Sequence, residues 1–274
     1  MTASLLDQSI EVEGVRLRVV SEGEGDSVLI LHGFTGSVES MACVSDRLRD
    51  GFRVHRVDLV GHGGSESPDR PEAFSMSQCV AQLRALLEAL ALASVSVIGY
   101  SMGGRAALSL AVAYPERVSR LVLVGASPGL ADPAERAARR KADQELAARI
   151  LSHGLESFVD EWMANPLFAT QARLGEAALA RARAERLRGS AVGLAESLRG
   201  MGTGSMPPLH EDLSRLLLPV LCVVGEEDAK FRAIAERMVA ALPLGELQLI
   251  PAAGHAALDL VINQQQPKFV AGVP

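Results

Sequence analysis

Hydrophobic positions along the chain fall into two textures. Short, predominantly apolar runs at 28–31, 95–98, 121–125 and 220–224 read as strands buried on both faces of a parallel sheet. Residues 10–20 alternate around Glu13-Gly14 and predict a β-hairpin at a sheet edge, and 52–59 and 247–250 predict two further strands. Met76, Val80, Leu83, Leu87 and Leu90 recur at helical spacing, and 38–48 and 231–241 also predict helices. Alternating strands and helices imply a mostly parallel central sheet with helices on both faces.

Between about 130 and 204 the texture changes. No β-branched run occurs there, only alanine- and arginine-rich helical segments. Asp132-Pro133-Ala134-Glu135 is a good helix start, with an N-cap aspartate, proline in the first turn and an acid behind it. Further helices are expected at 155–163, 176–188 and 192–198, and the glycine-rich run 200–208 closes the block. The chain thus divides into a first core part (1–129), a helical insertion (130–204) and a second core part (205–274). An insertion after the sixth strand would lie over the carboxyl ends of the strands, where open α/β sheets bind ligands. It is expected to be a lid.

Composition narrows the function classes. A formal charge of −6 argues against nucleic acid or an anionic membrane as partner, and no apolar run approaches the roughly 18 residues of a membrane span. The opening residues lack the basic flank and apolar core of a signal peptide. Cys43, Cys79 and Cys222 form no C-x-x-C pair and read as reduced core residues, with no metal site. The expectation is a cytoplasmic, monomeric protein acting on a small molecule without a cofactor. Its lysines are only Lys141, Lys230 and Lys268, so the cations available to a site are arginines.

The chemistry centres on Gly99-Tyr100-Ser101-Met102-Gly103. A serine between a buried strand and a helix, with glycine two residues to either side, has the spacing of a nucleophile elbow. So tight a turn strains the serine backbone, and its flanking residues must lack a Cβ. A serine hydroxyl needs an imidazole within reach. His32 and His62 lie in glycine loops, His55 within a strand, and His153 and His210 at surface or insertion positions. His255, in a loop after the last strand, fits best. The order serine, acid, histidine then calls for a carboxylate in between. Asp228, in Gly225-Glu226-Glu227-Asp228, is the candidate, with Glu226 or Glu227 as alternatives. The amides of Met102 and Phe34 would form an oxyanion hole.

These motifs, in this order, resemble the α/β-hydrolase family over nearly the whole chain. More narrowly, HGFTG at 32–36, VDLVGHGGS at 57–65, GYSMGGRAAL at 99–108, ASPGLADPAERAARRKAD at 126–143, FVDEWMANPLF at 158–168, LRGMGTG at 198–204 and GEEDAKF at 225–231 are similar to the 2-succinyl-6-hydroxy-2,4-cyclohexadiene-1-carboxylate synthases of menaquinone biosynthesis. The resemblance implies a lyase that eliminates pyruvate from 2-succinyl-5-enolpyruvyl-6-hydroxy-3-cyclohexene-1-carboxylate. Ser101, activated by His255 and Asp228, would be a base and not an acyl nucleophile. It further implies that Tyr100, Arg105, Arg139, Trp162 and Arg186 bind the polycarboxylate substrate, with Arg188 as an alternative to Arg186. A serine hydrolase of an ester or carbon–carbon bond, with Ser101 as nucleophile, is the competing reading. The sequence departs from the family pattern at Leu258 and in the few residues after Pro267, where a fuller closing helix is usual.

Overall fold

The computed structural model describes residues 5–256. Eight strands form one sheet: β1 (Leu6–Val12), β2 (Val15–Glu22), β3 (Asp26–Leu31), β4 (Phe52–Val57), β5 (Val95–Tyr100), β6 (Val118–Val124), β7 (Val220–Gly225) and β8 (Gly245–Ile250). Their spatial order is β1-β2-β4-β3-β5-β6-β7-β8. The first two are an antiparallel hairpin joined antiparallel to β4, and β4 through β8 pair in parallel. The central strands are mostly apolar because both faces are covered. Val28, Leu29, Ile30 and Leu31 of β3 are all fully buried.

Helices α1 (Ala42–Leu48), α2 (Met76–Ala89), α3 (Met102–Ala113) and α8 (Ala229–Ala241) flank the sheet. Leu83, Leu86 and Leu87 of α2 and Leu108 and Leu110 of α3 join β-strand residues in the larger apolar core. The spacing that predicted α2 therefore reports the face it buries. Ser75 caps that helix by accepting from Gln78 N at 3.2 Å.

Among the described residues no strand intervenes between β6 and β7. The chain instead forms α4 (Pro133–His153), α5 (Leu155–Met163), α6 (Glu176–Arg186) and α7 (Ala191–Met201). Asp132 caps α4, accepting from Glu135 N at 2.8 Å. A nine-residue 3₁₀ segment, Pro166–Leu174, was not foreseen from the sequence. Its Asn165 cap and Pro166 are legible afterwards, but a 3₁₀ run lacks the apolar repeat that marks an α-helix. The block has its own small core of Ala147, Ile150, Phe158, Val159, Leu194, Ala195 and Leu198, onto which Phe34 and Trp162 pack. Leu258 and the residues after Pro267, where the sequence departs from the family pattern, lie outside the described residues. No helix of the described residues is long and apolar enough to cross a membrane.

Candidate active site

Strand β5 delivers Ser101 into α3 with φ 50° and ψ −105°, a conformation that non-glycine residues rarely hold. The backbone amide of Ser101 donates to Val124 O at 2.8 Å, which ties the strained turn to β6. The two flanking glycines act by steric absence. A Cβ on Gly99 would meet the backbone of Gly103 and Gly104, and one on Gly103 would meet the carbonyls of Leu31 and His32. The first turn of α3 thus rides directly on the end of β3.

Ser101 Oγ lies 3.1 Å from His255 Nε2, and His255 Nδ1 lies 2.9 Å from Asp228 Oδ2. With Nδ1–H donating to the carboxylate, Nε2 is left to accept the serine proton. His255 and Asp228 are both buried. The other oxygen of Asp228 accepts from Phe231 N at 3.1 Å and caps α8, so one carboxylate fixes both the helix and the imidazole. Of the two alternatives, Glu227 is drawn to the surface by a bidentate pair with Arg173, both contacts at 2.9 Å, and Glu226 is exposed. Phe231 packs on the imidazole with ring centroids 4.3 Å apart, Tyr100 at 5.8 Å and Phe168 at 6.1 Å. Thr170 Oγ1 accepts from Gly254 N at 3.2 Å and steadies the loop that carries His255. Neither the contact of Phe168 with the imidazole nor that of Thr170 with the histidine loop was readable from sequence spacing, because both residues belong to the 3₁₀ segment.

The Phe34 loop is held against this triad from behind. His32 Nδ1–H donates to Gly33 O at 2.8 Å, and its Nε2 accepts from Leu59 N at 3.0 Å, so the ring is a neutral clamp between two loops. Asp58 joins the same loops, accepting from Val38 N at 2.6 Å and Gly64 N at 2.7 Å. Among the described residues, no turn or loop hydrogen bond takes up the amides of Phe34 or Met102. Both amides stay available to an oxyanion.

Burial lowers the pKa of His32 to about 4, of His55 to about 4 and of His62 to about 3, from an ordinary 6.5. Burial raises that of Asp58 to about 6. A histidine with a depressed folded pKa binds its proton only in the unfolded chain between the two values, so stability falls as pH drops through that window. Each such histidine contributes up to ~1.4 kcal/mol per pH unit. Asp58 has the opposite sign between about 4 and 6, because there the folded state holds the extra proton. Three groups therefore act against one, and the melting temperature is expected to fall steadily from pH 6.5 to 5. A flat profile in thermal melts across that range would contradict the buried, neutral assignment of the histidines.

The cationic residues gather in two places. Arg105, one turn after Ser101 on α3, donates through Nη1 to Met201 O at the end of α7, at 2.8 Å. Burial and the neighbouring charge of Arg139 push it down to about 10, which leaves it cationic at neutral pH. Arg139 on α4 pairs with Asp143 at 2.8 Å. Arg186, at the end of α6, has different partners and donates through Nε to Thr35 Oγ1 at 3.2 Å. It lines a cavity of about 60 Å³ with Phe34, Tyr100 and Gln171. Arg188 is exposed and faces a neighbouring cavity of about 220 Å³, which is also lined by Arg18 and His62. Trp162 stands edge-on to Phe34 at 5.2 Å and touches Phe168 at 5.5 Å. An aromatic chain therefore runs from the Phe34 loop through Trp162 and Phe168 to His255.

Comparison with known proteins agrees with this geometry. The chain is 42% identical over 259 residues to the putative 2-succinyl-6-hydroxy-2,4-cyclohexadiene-1-carboxylate synthase of Bacillus subtilis, covering 94% of this chain and 92% of that protein. It is 31% identical to the enzyme of that name from Salmonella agona, over 84% of this chain and 87% of the relative. The structure of MenH from S. aureus superimposes with a TM-score of 0.85 at 29% identity, covering 99% of this chain and 97% of that one. The family described by the alpha/beta hydrolase fold matches residues 26–260, and the chain belongs to it.

Proposed function

We propose that this protein is a 2-succinyl-6-hydroxy-2,4-cyclohexadiene-1-carboxylate synthase, a lyase on an α/β-hydrolase fold. The relatives of that name support the reading. The observation that carries it in the site itself is the placement of Arg105 one turn from Ser101, against Arg139 of the helical insertion. A simple ester needs no cations there. A substrate with several carboxylates does.

The reaction follows from the names of its two ends. A proton leaves C2 of the ring, next to the succinyl carbonyl, and its electron pair forms C2=C3. The C3=C4 bond shifts to C4=C5, and the C5–O bond breaks to release enolpyruvate. Ser101 Oγ takes the C2 proton as its own proton passes to His255 Nε2, and Asp228 holds the imidazolium that results. The negative charge that gathers on the succinyl oxygen is met by the amides of Phe34 and Met102. The proton on His255 is then available to the enolate, which becomes pyruvate. No water enters. Residues 130–204 serve as the lid, with Trp162 closing over the Phe34 loop and Tyr100 and Arg186 on the far wall. The reading places the reaction in the cytoplasm, where its three free cysteines stay reduced.

The test is product analysis with the purified protein. Given the enolpyruvyl precursor, it should release pyruvate and the cyclohexadiene in equal amounts, their masses summing to that of the precursor. A product carrying an added water would instead support hydrolysis through an acyl-enzyme on Ser101.

A further inference from the structure

Asp143 lies on α4 four residues beyond Arg139, and its side chain is 4% exposed. One oxygen, Oδ1, accepts from Arg139 Nε at 2.8 Å. The other, Oδ2, is buried with no hydrogen-bond partner among the described residues. It sits against Gly202, where an added Cβ would stand 2.5 Å away. The carbonyl of the preceding residue, Met201, holds Arg105. One short stretch at the end of α7 therefore brings together both guanidiniums and the carboxylate. Burial raises the Asp143 pKa against the pull of Arg139 and Arg105, while burial and Arg139 lower that of Arg105 against the pull of Asp143. The three groups act as one electrostatic unit, with two positive charges and one negative.

Stability does not explain this arrangement. An i,i+4 pair on a helix surface contributes less than a buried, unsatisfied polar atom costs. The unused donors point to binding. Arg139 is held by Nε alone, and Arg105 by Nη1 to the Met201 carbonyl, with Met206 Sδ at 3.8 Å from the same nitrogen. Among the described residues no partner occupies Nη1 and Nη2 of Arg139 or Nε and Nη2 of Arg105. Those are the edges that take a carboxylate through two parallel N–H bonds.

We infer that Asp143 is a positioning residue that holds Arg139 by its Nε beside Arg105, so that the free edges of the two guanidiniums form a receptor for a polycarboxylate. Without Asp143 the two like charges repel, and Arg139, whose side chain is 43% exposed, turns toward solvent. The inference rests on the polyanionic substrate proposed above.

Three variants test it: Asp143→Ala, Asp143→Asn and Arg139→Ala. Asp143→Ala should raise KM for the enolpyruvyl precursor roughly 10- to 100-fold, the range for lost support of a binding group, with kcat nearly unchanged. Asp143→Asn keeps an oxygen for Arg139 Nε and should recover most of that loss. In an Arg139→Ala background Asp143→Ala should add no further rise, because its effect passes through Arg139. The same ranking should appear in citrate binding by titration calorimetry, which needs no turnover. A protein that binds citrate in this ranking but releases no pyruvate would overturn the proposed reaction and leave the receptor standing. Unchanged KM and citrate affinity in Asp143→Ala would overturn the inference. So would a fall in kcat at constant KM, or an Asn variant no better than Ala.

Discussion

Replacing Ser101 by alanine is expected to cut pyruvate release by roughly 10³- to 10⁴-fold, with KM little changed, the loss characteristic of a removed acid–base group. In the proposed reaction the hydroxyl relays the proton between the substrate and His255 Nε2, which stands 3.1 Å from it. Without it the imidazole is too far back to take the ring proton directly. The oxyanion amides and the arginines are backbone or remote groups, so they stay in place and still bind. Single-turnover measurements with wild-type and Ser101→Ala protein would separate chemistry from binding.

The size of the loss also separates the two mechanisms. A serine that is an obligatory nucleophile costs about 10⁶-fold in kcat when removed, because no other group can form the acyl bond. A serine that relays a proton costs less, since bound water can replace it in part. A wild-type enzyme that accumulates no covalent intermediate, paired with an alanine variant of weak but real activity, fits elimination. Retention of near-full activity by Ser101→Ala would remove the triad from the mechanism altogether.

Much of this site was legible in the sequence because its parts are local. The elbow is a five-residue pattern whose glycines are demanded by backbone contact, and Asp228 and His255 each lie in the loop that follows one of the last two strands. Asp143 was also within reach, since an acid four residues from Arg139 shares its helix face. Other contributors were not readable. Phe168 and Thr170 reach the histidine loop from a 3₁₀ segment with no periodic signature, and Thr35 meets Arg186 across 151 residues of chain. The division of the arginines into a pair at α7 and a single one against Thr35 depends on how α4 and α6 pack over the core. Sequence spacing does not encode that packing.

The largest effect on the fold is expected from Gly103→Ala. A methyl group at this position would overlap the carbonyls of Leu31 and His32, both backbone atoms of the buried end of β3 and the loop after it. Neither carbonyl can rotate away as a side chain could, so α3 must lift or β3 must shift. Against rigid backbone the cost is expected at the top of the usual overpacking range, ~3 kcal/mol, a large share of the ~5–15 kcal/mol that holds a typical domain together. For a chain of this size that corresponds to a drop of roughly 6–12 °C in melting temperature, or to insoluble protein. Activity should fall further than stability does, because lifting α3 moves the Met102 amide and Arg105 along with it. Gly51→Ala is the control. Nothing lies within 4 Å of a Cβ there, and the substitution should be neutral or slightly stabilising. If Gly103→Ala melted with the wild type and kept its activity, the close seating of the elbow helix on β3 would be refuted, and with it the steric reason for glycine two residues after the serine.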